Sequence, residues 1–317
     1  MKKKELEDII KSCPTFEQSI ESIEKLKNYC WPIFDDFSST KEYLKEVQSV
    51  LFKEFEILPN IIKLFNPKKF TLPIFRVREV ESFTNISLFS EHSYPPINLT
   101  SFGRCNFPKN PVFYCSNDPM TALLEVIRDG DFKNRKFCIS RWEIMESKNE
   151  FVFQTFLQTE LDEQNHFSIL KIAEIEQLKI PFENKLSEDK KAGLTELLKF
   201  LHNSFINDKN YFLSASLAHR TLYAEHNFAT DILLFPSVQT KFKGVNMAIH
   251  PNFVDNMMRV LRFYIVEIDN YNPENGRYNI TFSKYGNVDK NVIIWSTKMD
   301  DQLFKENIET DFKNFIK

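Results

Sequence analysis

Glycine is scarce in this chain, with six in 317 residues. Where glycine is this rare, each one answers a backbone demand. Cationic excess is also missing: 41 Lys and Arg stand against 44 Asp and Glu, a formal charge of -3, with no basic tail or run. That balance argues against nucleic acid as the main partner. Six histidines (92, 166, 202, 219, 226 and 250) form no H-x-x-x-H pair, and five cysteines (13, 30, 105, 115 and 138) have no metal-type spacing. No metal is therefore expected, and the cysteines read as reduced, buried thiols. Apolar runs fall short of a membrane span, and the opening Met1-Lys2-Lys3-Lys4-Glu5-Leu6-Glu7 turns acidic rather than apolar. No membrane partner or signal peptide is expected, and the expected location is cytoplasmic.

What is present concentrates in two windows, each holding one of the rare glycines, Gly103 and Gly244. From Gly103 to Glu125 the chain reads GRCNFPKNPVFYCSNDPMTALLE. Arg104 follows the glycine, Tyr114 stands ten residues later, and Glu125 eleven further on. A guanidinium grips phosphate through its planar fork, an aromatic face covers a flat heterocycle, and a carboxylate stabilises a cationic sugar or accepts from its hydroxyls. Residues 112–115 read as a short buried strand stopped by Ser116-Asn117-Asp118. A helix follows, capped by Asp118 or Asn117, with Pro119 in its first turn and Met120, Leu123, Leu124 and Ile127 as its apolar stripe. Glu125 lies off that stripe. Taken alone, Glu125 would be a solvated helix glutamate and Arg104 a surface arginine.

The second window opens at Tyr211 with a helix rich in small residues, Leu213, Leu217 and Leu222 pointing inward. Residues 232–235 then form a wholly apolar strand that stops at Pro236-Ser237. A serine ending a buried strand is well placed for a ligand. Taken alone, it reads as a turn hydroxyl bonded to its own backbone.

Together the windows resemble the RES family, named for a recurring Arg, Glu and Ser. The resemblance rests on G-R-x-N with Arg104, on Tyr114, on A-L-L-E with Glu125, and on P-S with Ser237 before G-V-N. A strand at residues 73–78 looks like the family's opening strand and brings Arg76. The match covers roughly residues 70–270. It implies an α+β fold like that of the ADP-ribosyltransferase toxins: a split, mostly antiparallel sheet flanked by helices, with NAD+ in the cleft as substrate. Carried over, Arg104 contacts the pyrophosphate or nicotinamide ribose, Tyr114 covers the nicotinamide, and Glu125 orients the ribose and stabilises its cation. Arg76, Asn106 and Ser237 complete the NAD+ site. Phe102 where many relatives have glycine, and Cys105 where an aromatic is common, depart from the family pattern.

The implied function is an NAD+-consuming enzyme, a glycohydrolase or phosphorylase, acting as a toxin or defence effector restrained by an antitoxin or regulatory protein. The alternatives are a mono-ADP-ribosyltransferase that modifies a protein, and an inactive NAD-binding or protein-interaction module. Oligomerisation is left open.

Two domains are expected, a helical N-terminal extension over residues 1–69 and a catalytic domain over 70–317, joined at Asn66-Pro67-Lys68-Lys69. The extension carries 12 basic and 12 acidic side chains. Phe16, Ile20, Ile23, Leu26 and Tyr29 recur at helical spacing, and residues 39–42 read as a capping box opening a helix through Leu44, Val47, Leu51 and Phe55. Residues 187–206 read as a helix, 260–268 as a core strand, and 301–316 as a closing amphipathic helix. A hairpin is expected around Tyr285-Gly286-Asn287.

Overall fold

A computed structural model of the chain describes residues 3–68, 72–128, 130–165, 167–177, 185–225, 229–272 and 277–313. In chain order the first half gives α1 (Lys3–Ser12), α2 (Phe16–Lys27), α3 (Thr40–Glu54), β1 (Lys63–Phe65), β2 (Ile74–Glu79), β3 (Phe113–Ser116), α4 (Pro119–Val126), β4 (Lys136–Ile144) and β5 (Phe151–Thr155). The second gives α5 (Ser168–Gln177), α6 (Glu188–Asn207), α7 (Phe212–Leu222), β6 (Ile232–Pro236), β7 (Val245–Ile249), α8 (Pro251–Met257), β8 (Met258–Asn272), β9 (Arg277–Asp289), β10 (Val292–Ser296) and α9 (Gln302–Asp311). The fold class is α+β.

Contacts divide the chain into two units, each discontinuous in sequence. Unit 1 comprises Met1–Lys63, Thr100–Asn110 and Val152–Phe235, and unit 2 comprises Leu64–Leu99, Pro111–Phe151 and Pro236–Lys317. The expected boundary between residues 69 and 70 lies outside the described residues.

Unit 1 is mainly helical, with a parallel pairing of β5 and β6. Thr15 caps α2 in a full capping box with Gln18. Close approach of α2 to α6 follows from Gly193, where a Cβ would stand 2.3 Å from the Pro14 carbonyl oxygen. That approach buries Ser19, whose hydroxyl donates to the Gly193 carbonyl at 2.9 Å. It corrects the expected apolar stripe: Ile23 and Leu26 are buried, whereas Phe16, Ile20 and Tyr29 are exposed. Helix α3 starts at its Ser39 cap as expected, but Glu42 takes the Ser38 hydroxyl, and Tyr43 rather than Leu44 is fully buried. Tyr43 donates to the Phe212 carbonyl at 2.8 Å, tying α3 to the start of α7.

In unit 2 the strands run in the order β7-β3-β2-β4-β8-β9-β10, every neighbour antiparallel. Alternation along each strand separates two faces. On one, Phe75, Val77, Ile139, Tyr264 and Val266 pack with Met120 and Leu123 of α4 and with Phe304 and Ile308 of α9. On the other, Cys138, Phe263 and Ile293 pack with Phe83, Phe89 and Trp295. The expected hairpin turn is displaced. Strand β9 runs straight through Gly286, which pairs with Trp295, and Asp289 pairs with Val292, so the turn is Lys290-Asn291. Gly286 is needed because a Cβ there would meet the Trp295 ring at 2.8 Å.

Candidate active site

Helix α4 begins where β3 ends. Asp118 is its N-cap, accepting from the Thr121 N–H at 2.8 Å, and Pro119 follows in the first turn. This tight strand-to-helix connection sets Glu125, two turns on, back above the sheet. Its Oε1 accepts from Ser237 Oγ and from Asn246 Nδ2, both at 2.7 Å. Asn246 is fixed in turn by Ser116 Oγ, which donates to its Oδ1 at 2.7 Å. Ser237, Ser116 and Asn246 are buried, while the Glu125 side chain keeps 21% of its surface exposed. Glu125 Oε2 lies 3.8 Å from the exposed Arg128 guanidinium. One carboxylate oxygen is thus clamped by two neutral donors, and the other faces outward.

The turn after Ser237 is built to hold that hydroxyl. The Ser237 N–H donates to the Gly244 carbonyl, and the Thr240 N–H donates to Ser237 Oγ. At Gly244 a Cβ would stand 2.1 Å from Thr121 Oγ1, so this glycine admits the close passage of the turn against α4.

Tyr114 and Ser116 share a face of β3, opposite Ala248 and Asn246 of β7. The half-buried Tyr114 side chain therefore belongs to the Glu125 face, beside the small Ala248. Arg76 does not. Phe75 pairs with Ser116, so its neighbour Arg76 projects from the other face, where its guanidinium lies 5.1 Å from the Phe113 ring centroid and donates to the Tyr114 carbonyl at 2.8 Å. Burial first, and Arg78 second, lower its pKa to about 10. Of the residues expected in one NAD+ site, unit 2 brings Tyr114, Glu125 and Ser237 to one face and turns Arg76 away.

Arg104 and Asn106 belong to unit 1. Gly103 and Asn106 exchange two backbone hydrogen bonds, closing a tight turn. The Asn106 amide stabilises that turn from within, donating to the Ser101 carbonyl at 2.5 Å. Arg104 donates to the carbonyls of Phe205 and Ile206, at the C-terminal end of α6, and sits 5.3 Å from the Tyr211 ring centroid. A cation there meets carbonyls that a helix leaves unpaired.

Sequence reasoning missed Asn246 and Ser116 as functional residues. Asn246 is the last letter of the G-V-N run after Ser237, and the register opposite Ser116 gives it its role. Cys115 is buried, with burial raising its thiol pKa far above the ordinary value, so it is no ready nucleophile. Among the described residues no group of three or more His, Cys, Asp or Glu is placed to hold a metal, and no helix is long and apolar enough to cross a membrane.

Unit 2 is thus an antiparallel, helix-covered sheet bearing a carboxylate clamped by a serine and an asparagine. Residues 73–149 match the family model of the RES domain, a stretch that includes Arg76, Arg104, Tyr114 and Glu125 and ends before Ser237 and Asn246. RES domains are associated with NAD-acting enzymes and with toxin–antitoxin systems. A search among curated proteins finds no match.

Proposed function

We propose that the chain consumes NAD+ by cleaving the nicotinamide–ribose bond, as a glycohydrolase or phosphorylase. The observation that carries the reading is the clamp on Glu125. Departure of nicotinamide from a positively charged pyridinium yields a neutral leaving group, so the reaction needs no strong general acid. It needs a carboxylate aimed at the developing ribosyl cation and a substrate held still. Ser237 and Asn246 fix Glu125 Oε1, leaving Oε2 to face that cation. Tyr114, on the same face of the sheet, is the residue to cover the nicotinamide. In this reading Ser237 is a positioning residue that acts through Glu125. Arg76 is left out of it, because it leaves the other face of the sheet. Such an enzyme in a cell calls for restraint, which fits a toxin or defence effector with an antitoxin or regulatory partner.

The test is mass spectrometry of NAD+ incubated with the protein, with and without phosphate. Free nicotinamide with ADP-ribose identifies hydrolysis, a phosphate-dependent phosphorylated ADP-ribose identifies phosphorolysis, and label carried onto protein identifies ADP-ribosyl transfer. Intact NAD+ under all conditions, with the protein folded and free of any inhibitor, refutes the proposal.

A further inference from the structure

Helix α4 ends at Val126 with Ile127 as its C-cap, and Arg128 follows one turn after Glu125. Its Nε donates to the Glu125 carbonyl at 2.9 Å, one of the acceptors that a helix end leaves unpaired. That bond places the guanidinium, and one of its terminal nitrogens lies 3.8 Å from Glu125 Oε2. The Arg128 side chain is 59% exposed, so a ligand can reach it. An exposed ion pair of this length contributes little to stability. The fold does not depend on it.

The reaction, however, feels this cation. Ser237 and Asn246 hold Oε1, so Oε2 is the oxygen offered to the ribosyl cation, and Arg128 stands beside it. Positive charge developing on the ribose there is repelled by the guanidinium. An anion that pairs with Arg128 removes the repulsion, and the planar fork of a guanidinium matches a phosphate. In NAD+ a phosphate is carried on the 5′ carbon of the same ribose whose C1′–N bond breaks. Arg76 is engaged on the opposite face of the sheet, and Arg104 by the carbonyls of Phe205 and Ile206 in unit 1. Arg128, in unit 2, is at the clamped carboxylate itself.

We propose, on the NAD+-cleaving reading of this site, that Arg128 makes it selective for 5′-phosphorylated nicotinamide ribosides: the phosphate on the nicotinamide ribose draws the guanidinium off Glu125 Oε2 and so frees that oxygen for the ribosyl cation. The C1′–N bond breaks with its electron pair leaving on nicotinamide, and Arg128 transfers no proton. With a riboside that lacks the phosphate, the guanidinium stays on Oε2 and opposes the developing charge. Arg128 is then a specificity residue that reads the phosphate.

The test measures nicotinamide release by the full-length protein from NAD+, nicotinamide mononucleotide and nicotinamide riboside, in the unsubstituted chain, Arg128→Gln and Arg128→Lys, with a thermal melt of each. The unsubstituted protein is expected to favour both phosphorylated compounds over the riboside in kcat/KM by about tenfold or more. Arg128→Gln is expected to melt like the unsubstituted protein, to lose about tenfold on NAD+ and on the mononucleotide, and to gain on the riboside, so that the preference collapses. Arg128→Lys keeps the charge without the fork and should fall between the two; it carries the test should Arg128→Gln not fold. No preference in the unsubstituted protein, an unchanged preference in the variants, or equal loss on all three compounds overturns the proposal and leaves NAD+ cleavage standing. Release from none of the three by the folded, unsubstituted protein overturns both.

Discussion

If Ser237 acts only by aiming Glu125, its removal should matter only while the glutamate is there to be aimed. The perturbation is a cycle of Ser237→Ala, Glu125→Gln and the double variant. Ser237 Oγ donates to Glu125 Oε1 at 2.7 Å from a fully buried position. A hydrogen bond to a charged group is worth about 1.5–3 kcal/mol. Asn246 still donates to the same oxygen, so the lower end applies, and a 1.4 kcal/mol loss of transition-state stabilisation is roughly tenfold in turnover. In Glu125→Gln the amide oxygen can accept both hydrogen bonds, so the fold survives while the charge facing the ribosyl cation is lost. That should cost about 100-fold or more. The double variant should then lie within about threefold of Glu125→Gln, because nothing remains for Ser237 to aim. The assay is nicotinamide release at saturating NAD+, with a thermal melt of each variant. An additive result, roughly 1000-fold below the unsubstituted enzyme, would mean that Ser237 touches the reaction independently, and the positioning argument would fail.

Other outcomes follow from the packing. Gly193→Ala would raise intrinsic helix propensity by about 1 kcal/mol, yet its Cβ would meet the Pro14 and Thr15 carbonyl oxygens at 2.3 and 2.5 Å; net destabilisation in chemical denaturation is expected, and a stabilised variant would contradict the α2–α6 approach. Deleting residues 1–63 removes the buried Tyr43, Val47, Leu51 and Phe55 from unit 1, so loss of cooperative unfolding of that unit is expected, and an unchanged melt would show the segment to be dispensable. Burial lowers the pKa values of His92, His202 and His219 to about 4, 3 and 4. The unfolded chain therefore binds more protons from the ordinary histidine range down to those values, and stability falls with pH across that window, by roughly 1.4 kcal/mol per pH unit for each histidine. Urea titrations between pH 7 and 5 should show the midpoint dropping, and a flat profile would refute it. Tyr114→Phe should retain NAD+ turnover if the ring acts by covering the nicotinamide, whereas loss equal to that of Tyr114→Ala would assign the role to the hydroxyl.

Much of the fold was legible because it is written locally. The aromatic run before Ser116, the Asp118-Pro119 helix start, and the uninterrupted apolar stretch at residues 232–235 each specify an element within a few residues. They appear as β3, α4 and β6. The inward leucines of α7 are buried as their spacing predicts. In the candidate site, Glu125, Tyr114 and Ser237 were visible through motif order, and the cluster joins the first and last of them by a hydrogen bond.

What was hidden depends on partners far away in sequence. The α2 stripe pointed to Phe16 and Ile20, but a glycine over 170 residues later lets α6 come close enough to bury Ser19 instead. Gly286 suggested a turn and proved to be a mid-strand gap for Trp295. Asn246 gained a role only when the register of β7 on β3 set it opposite Ser116, and Arg76 left the site because Phe75 occupies the register position on that face. Capping, turn chemistry and hydrophobic period act over one or two turns of chain, so the sequence by itself determines which segments become helix or strand and which side chains offer useful chemistry. A strand's two faces differ by a single residue step, and a helix's contact face by the size of its neighbour's side chains. Which chemistry-bearing groups meet was therefore decided by long-range register and packing.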